Sequence, residues 1–454
     1  MLYVKTEDLK VGMRLARPIY SRNGTLLYER NSKLTHQGII SVRNFRIIGL
    51  YILEPAEPVP PMTKEDLEFE RFQTMSVFSI QDELTAITKK QDSKKLNALA
   101  NQIIKMYGNL YHKINFMQNL RSRSDYIYKH SVNTAILCAL ISHQLEFSFE
   151  EQMDVVTAAL LHDIHKLFLP DELVEQEFRN QTIDTNDSHY AVVKKEVKEA
   201  QALLQSQVYI SSNVKKIITQ LHHNILSDNP LDEKQLLKGT KVLRVAEGFD
   251  GFTAMKSYTD PTSEVTALRA LLADRRYEQE VVKALTESIH ILAAGVCVTL
   301  TNGDKGIVIA ENDNDVLRPV VLSFYNNSIM DLGLRTTFGK IQVLDVMKTM
   351  DNRFVMDEEV VDKFFGTGKG VIQIQLTPEE QEEREEAAKR AEEAAIKAEE
   401  DAKKLKETEK KAAKEAAISK LDYIDPFADD VADSDVNIDD LFDFGEFMDE
   451  DKSE

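Results

Sequence analysis

A histidine and an aspartate stand side by side, His162-Asp163, at the end of the apolar run Ala159-Leu160-Leu161, and a lysine follows in Ile164-His165-Lys166. An imidazole nitrogen and a carboxylate oxygen in that position can share one divalent cation, while the second carboxylate oxygen reaches another. Lys166 falls nearly one helical turn past Asp163, on the same side, where an ammonium could meet a phosphate. That trio describes metal-assisted phosphoryl chemistry, with Asp163 and Lys166 as the catalytic candidates. A lone His-Asp pair can equally well end one helix and cap the next, so the reading depends on what other segments supply.

Three further segments offer donors. His130 lies near the start of a helix in Tyr126-Ile127-Tyr128-Lys129-His130-Ser131. His222-His223 closes a helix expected from Ser212, where paired histidines can also bond last-turn carbonyls or water. Glu247 follows apolar Val245-Ala246 on a face that should be buried, and a buried acid is costly unless paired or metal-bound.

The elements that must position these residues follow from periodicity and turn chemistry. Residues 1–53 alternate short apolar runs with turns: Asn23-Gly24 between Ile19-Tyr20 and Leu26-Leu27-Tyr28 predicts a hairpin, Thr35 caps a helix to about Asn44, and a last strand covers Ile47 to Leu53. This is a small α+β module. Residues 54–62 are proline-rich and read as a linker. From Thr63 to about Gln205 the pattern is helical throughout, with a cap at Thr63-Lys64-Glu65-Asp66; connecting helices fill 63–120 and the chemistry-bearing helices 121–292. Within that span lie helices Phe149–Leu161, about Tyr190–Gln205 carrying Glu196, Ser212 to about His223, Lys238 to about Phe252, and two more near 262–273 and 276–290. A polar stretch around Asn186 reads as disordered.

At Gly295 the composition changes, and residues 293–345 read as a small β-meander domain of barrel type. An irregular connector spans 346–376. Residues 377–420, rich in Glu, Lys and Ala with i,i+4 pairs such as Glu393/Lys397, predict a single charged helix with too few large apolar residues for a coiled-coil seam. Residues 421–454 read as a disordered acidic tail, whose Leu441-Phe442-Asp443-Phe444-Gly445-Glu446-Phe447-Met448 could dock on a partner protein. The fold class expected is thus multidomain and mainly α.

The net charge of −20 argues against general nucleic-acid binding. The tail, with 14 acids against one lysine, supplies −13 of it, so a small phosphate-bearing ligand remains compatible with the body. No apolar run is long enough to span a bilayer, the N-terminus is too polar for a secretory signal, and Cys138 and Cys297 suit reduced core thiols; a cytoplasmic protein is expected.

His130, His162-Asp163, His222-His223 and a late acid together resemble the HD superfamily of metal-dependent phosphohydrolases. The similarity extends to the HD-GYP branch that hydrolyses cyclic di-GMP. His162-Asp163-Ile164-His165-Lys166 resembles its His-Asp-Ile-Gly-Lys, Leu169-Pro170-Asp171-Glu172-Leu173 the segment after it, and Val245-Ala246-Glu247-Gly248-Phe249-Asp250 its Val-Ala-Asp with a further aspartate. The resemblance implies two divalent ions (Mn, Fe or Mg) held by His130, His162, Asp163, Glu196, His222, His223 and Glu247. It also implies a cyclic dinucleotide or other small nucleotide as substrate.

Four departures accompany it. His165 replaces a glycine; Glu196 stands, by its 26-residue spacing from His222, where the branch has a ligand histidine; Glu247 is one methylene longer than aspartate; and Asn224–Pro230 lacks the Gly-Tyr-Pro loop. Three functions follow: a cyclic di-GMP phosphodiesterase, a weak or inactive relative that binds nucleotide or partner proteins, or an HD phosphohydrolase for another nucleotide.

Overall fold

The computed structural model describes residues 2–347 except 46, 48, 54–58, 60, 92, 94, 171, 172, 174–187, 228–230, 232 and 257–260. All of them lie in one compact unit, Met1–Gln375. The expected charged helix and acidic tail, nearly all of the 346–376 connector, most of the proline-rich linker and the stretch around Asn186 lie outside the described residues.

At the N-terminus, β1 (Leu2–Lys5), β2 (Arg14–Leu15), β3 (Ile19–Tyr20), β4 (Leu26–Tyr28), α1 (His36–Asn44) and β5 (Gly49–Leu53) form the small module. Its main sheet runs β1-β5-β2, and β3 pairs with β4 across a turn in which Gly24 takes φ +74°, open to glycine without Cβ strain. The Thr35 hydroxyl accepts from the Gly38 amide and so starts α1.

Two helices, α2 (Lys64–Thr88) and α3 (Leu96–Tyr107), lead into the helical body; Thr63 and Asp66 close a reciprocal capping box at the head of α2. The continuous helical reading of 63–205 then needs correction. Leu120–Arg121 form a two-residue strand, β6, paired in parallel with Met255–Lys256 in register Leu120↔Met255 and Arg121↔Lys256. Two residues carry no detectable period, and only the return of a chain segment 135 residues away supplies the partner.

The body continues with α4 (Tyr126–Gln144), α5 (Phe149–Leu161), α6 (Ser188–Ser206), α7 (Ser212–Leu221), the single turn α8 (His223–Leu226) and α9 (Lys238–Thr253). Strand β7 (Met255–Lys256) and helices α10 (Glu264–Ala273) and α11 (Gln279–Ser288) complete it. Helix α4 is buried on nearly all sides, which places it at the centre. Around it Ile136, Leu137, Val155, Val156, Leu160, Leu243 and Leu285 belong to one continuous apolar core. Cys138 and Cys297 are buried free thiols.

The last described elements are β8 (Cys297–Leu300), β9 (Lys305–Ala310), β10 (Val320–Ser323), β11 (Ile329–Asp331), α12 (Arg335–Phe338) and β12 (Val343–Val346). Their strand order, β11-β10-β9-β8-β12, is a meander whose final strand returns beside the first. Among the described residues no helix is long and apolar enough to cross a membrane.

Candidate metal centre

Helix α5 is launched by a capping box, Ser148 with Glu151, and ends at His162 because Asp163 leaves helical geometry at φ −99°, ψ 13°. A short 3₁₀ turn over Ile164–Phe168 follows, closed by the Lys166 amide on the Asp163 carbonyl at 2.9 Å. His162 and Asp163 therefore sit side by side at a break inside the core, both fully buried. Lys166 folds back over them and its Nζ meets Asp163 Oδ2 at 2.6 Å.

His130 arrives from the first turns of the central α4. Its Nε2 lies 3.3 Å from His162 Nε2 and 3.7 Å from Asp163 Oδ2, while His162 Nε2 lies 3.6 Å from Asp163 Oδ1. With ligand bonds of about 2.1 Å, two donors on one cation sit about 3.0 Å apart at a right angle and about 3.4 Å apart in a tetrahedron. The spacing fits.

Proton placement tests the fit more sharply. His130 Nδ1 donates to Asp250 Oδ2 at 2.6 Å, and His162 Nδ1 donates to the Ala159 carbonyl at 2.7 Å. In the neutral tautomer each ring keeps its lone pair on Nε2, and the two Nε2 atoms face each other 3.3 Å apart. Facing lone pairs at that distance repel, and either a proton on one ring or a cation held between the two relieves them. Orientation of ligand imidazoles by a carboxylate and a carbonyl is the usual outer support of a metal site.

Asp250 is the anchor of that support. Its carboxylate accepts two bonds from Arg121, both 2.6 Å, one from His130, and one each from Gln118 and Asn133 at 3.1 Å. Burial alone would raise its pKa; the Arg121 charge and the bonds from His130 and Arg121 outweigh that and hold it well below the usual carboxylate range. Asp250 therefore stays an acceptor, which fixes His130 as the donor.

Asp163 also belongs to a second group. Its carboxylate and the ring nitrogens of His165 and His222 lie within 4.8 Å of one another, all buried. The rings of His165 and His222 meet edge to face with centroids 4.9 Å apart. One carboxylate common to two donor groups is the arrangement of a bridged pair of cations.

Over the first group lies Tyr126, stacked on His130 at 5.3 Å with 22° between the planes. Lys166 Nζ, Lys256 Nζ and Arg121 Cζ each lie 5.5 Å from its ring centre. Positive charge is thus gathered beside the donors.

Of the residues singled out from sequence, the structure brings together His130, His162, Asp163, Lys166 and His222. Glu196, His223 and Glu247 belong to neither donor group among the described residues. Glu196 lies on α6 with Lys195 Nζ at 3.1 Å. His223 opens α8, and Glu247 lines a small cleft with Asn224, Arg244, Arg276 and Tyr277. One helical turn beyond Glu247, Asp250 takes the buried face of α9. His165, Asp250, Arg121, Tyr126 and Lys256 were not anticipated as site residues. His165 had a signal, since it stands at a position where the resembled branch has glycine; Asp250 had a weaker one, as an acid one turn after Glu247; Arg121 had none.

Residues 115–281 match the family profile described as the HD domain. The chain carries an HD domain. His130, His162, Asp163, His165 and His222 lie within those residues, and the sequence of the chain resembles the HD-GYP branch. It is 23% identical over 228 residues to a cyclic di-GMP phosphodiesterase of Pseudomonas aeruginosa, covering 47% of this chain and 53% of that protein. It is 23% identical over 219 residues to the 3'3'-cGAMP-specific phosphodiesterase 2 of Vibrio cholerae, covering 43% of this chain and 41% of that protein. The chain spans about half the length of these curated relatives. Among solved structures, an HDG"Y"P protein from Bdellovibrio bacteriovorus aligns with TM-score 0.36 and 15% identity, over 63% of this chain and 97% of that one.

Proposed function

We propose that the chain is a metal-dependent phosphodiesterase acting on a cyclic dinucleotide, with cyclic di-GMP the first candidate. The observation that carries the reading is the shared carboxylate: Asp163 stands in both buried donor groups. His130, His162 and Asp163 would hold one divalent ion and Asp163, His165 and His222 a second. Such ions supply Lewis acidity and acidify water at the site. The names of the relatives support the substrate class.

The chain's own side chains do the rest. Asp250 and the Ala159 carbonyl hold the two imidazoles in the ligand tautomer. Lys166, paired with Asp163, and Lys256, 5.5 Å from the centre of the Tyr126 ring, would place ammonium groups where a phosphodiester gathers negative charge. The buried setting strengthens those attractions by excluding water.

A purified-protein assay tests this. With Mn²⁺ or Fe²⁺, cyclic di-GMP should yield the linear dinucleotide or GMP, Asp163→Ala should abolish turnover, and Lys166→Met should lower kcat by about 10²-fold while metal binding persists. No linear product under conditions where an intact relative turns over would end the reading. Running 3'3'-cGAMP and other nucleotides in parallel separates a different substrate from no reaction.

One observation favours a second reading, a nucleotide-binding relative with little or no turnover. Glu196, His223 and Glu247 stand outside the donor groups, so the centre has fewer protein ligands than the resembled branch implies. Tight binding of cyclic di-GMP by calorimetry without product would select it. A partner for the acidic tail belongs to this reading, and a pull-down that depends on residues 421–454 is its check.

A further inference from the structure

The strand pair β6–β7 has two faces, and they serve different parts of the molecule. Arg121 and Lys256, opposite each other in register, lie over Tyr126, and Arg121 grips Asp250. Their neighbours Leu120 and Met255 point the other way, as alternation along a strand requires. Met255 lies in a small buried cluster with Ala16, Tyr51 and Leu53 of the N-terminal module, and Leu120 packs against it.

Two polar contacts fasten the module to this element. The Tyr51 phenol donates to Met255 Sδ at 2.8 Å; burial pushes that phenol up to about 12, so it keeps its proton at neutral pH. Arg17 lies 4.9 Å over the Tyr51 ring, pairs with Glu70 at 3.3 Å, and donates to the Gln118 carbonyl at 2.8 Å. From Gln118 the side-chain amide donates to Asp250 Oδ1, whose other oxygen receives His130. A connected route therefore runs Arg17, Gln118, Asp250, His130.

A two-residue parallel ladder has too few hydrogen bonds to hold itself in water. Something must cover its outer face, and the module is what does so. We propose that the N-terminal module is a positioning part of the metal centre: through Arg17 and Tyr51 it clamps β6–β7 against Asp250 and thereby sets the direction of the His130 imidazole. The proposal rests on His130 being a metal ligand. Arg17 and Tyr51 touch no reacting atom and act only through Gln118, Met255 and Asp250.

The test uses the full chain labelled with ¹⁵N-histidine. The His130 Nδ1 proton, buried on Asp250, reports the clamp with or without metal. In Arg17→Ala and Tyr51→Leu it should exchange with solvent at least about 10-fold faster, and Co²⁺ affinity should fall by about 10-fold with a shifted Co²⁺ absorption spectrum, as loss of outer support does. Arg17→Lys, which keeps the charge but not the planar fork, should restore part of both. Ile39→Ala thins the module's separate core and should move neither.

Unchanged exchange in Arg17→Ala overturns the proposal, as does an equal acceleration in Ile39→Ala. A wild-type chain that takes up no Co²⁺ sinks the metal reading instead, and the exchange measurement still decides the clamp.

Discussion

On the His130–His162 side of Asp163, both imidazoles are anchored through Nδ1, one by the Asp250 carboxylate and one by the Ala159 carbonyl; His130 comes from the first turns of α4 and His162 is the residue that ends α5. On the His165–His222 side, the rings come from a 3₁₀ turn and from the residue that ends α7, and they meet edge to face. The first side is set before any cation arrives, because its tautomers are dictated by buried partners. Both rings of the second stand at element ends, where backbone geometry adjusts more readily, whereas the first takes His130 from within α4.

The largest effect should come from breaking the anchor. Asp250→Ala leaves Arg121 charged, fully buried and without its carboxylate, which costs about 3–5 kcal/mol. Denaturant titration of the variant measures it; a loss below about 1 kcal/mol would mean that this side is not the rigid one. The same carboxylate predicts an acid-side weakness. Its folded pKa lies below its unfolded value of about 3.9, so its stabilisation is full above that pH and is lost as pH falls through the folded pKa. Wild-type stability should decline below about pH 4 with a steeper slope than Asp250→Asn, read from unfolding curves at stepped pH.

Next in size is the division of the metals. Elemental analysis of the purified chain should give two divalent ions, none in Asp163→Ala, and one in either His162→Ala or His165→Ala, because Asp163 is the only residue common to both groups. If His165→Ala still holds two, the second centre belongs elsewhere and the comparison collapses to a single site.

The smallest effect sharpens the first side alone. Tyr126→Leu removes a ring stacked on His130 and should cost about 0.5–1.5 kcal/mol beyond lost burial, with metal content unchanged. Thermal melts beside the metal analysis check both parts.

Much of this molecule was legible in its residues. The Asn23-Gly24 hairpin, the caps at Thr35 and Thr63, helix Phe149–Leu161 and the placing of Lys166 on the same side as Asp163 all follow from chemistry within a few positions of each other, where local geometry is nearly the whole of the energetics. His130, His162 and His222 could be singled out as candidate donors by residue type together with the resemblance to the HD superfamily. What only the tertiary structure decided is which acid faces them. Glu247 and Asp250 lie one turn apart on α9, and nothing in that spacing says which of the two faces the core. The answer depends on Arg121, more than a hundred residues earlier, whose buried guanidinium needs a carboxylate opposite it, and on a two-residue strand that exists only when its distant partner returns. Desolvated charges choose their partners across space, and that choice is made by packing rather than by sequence order.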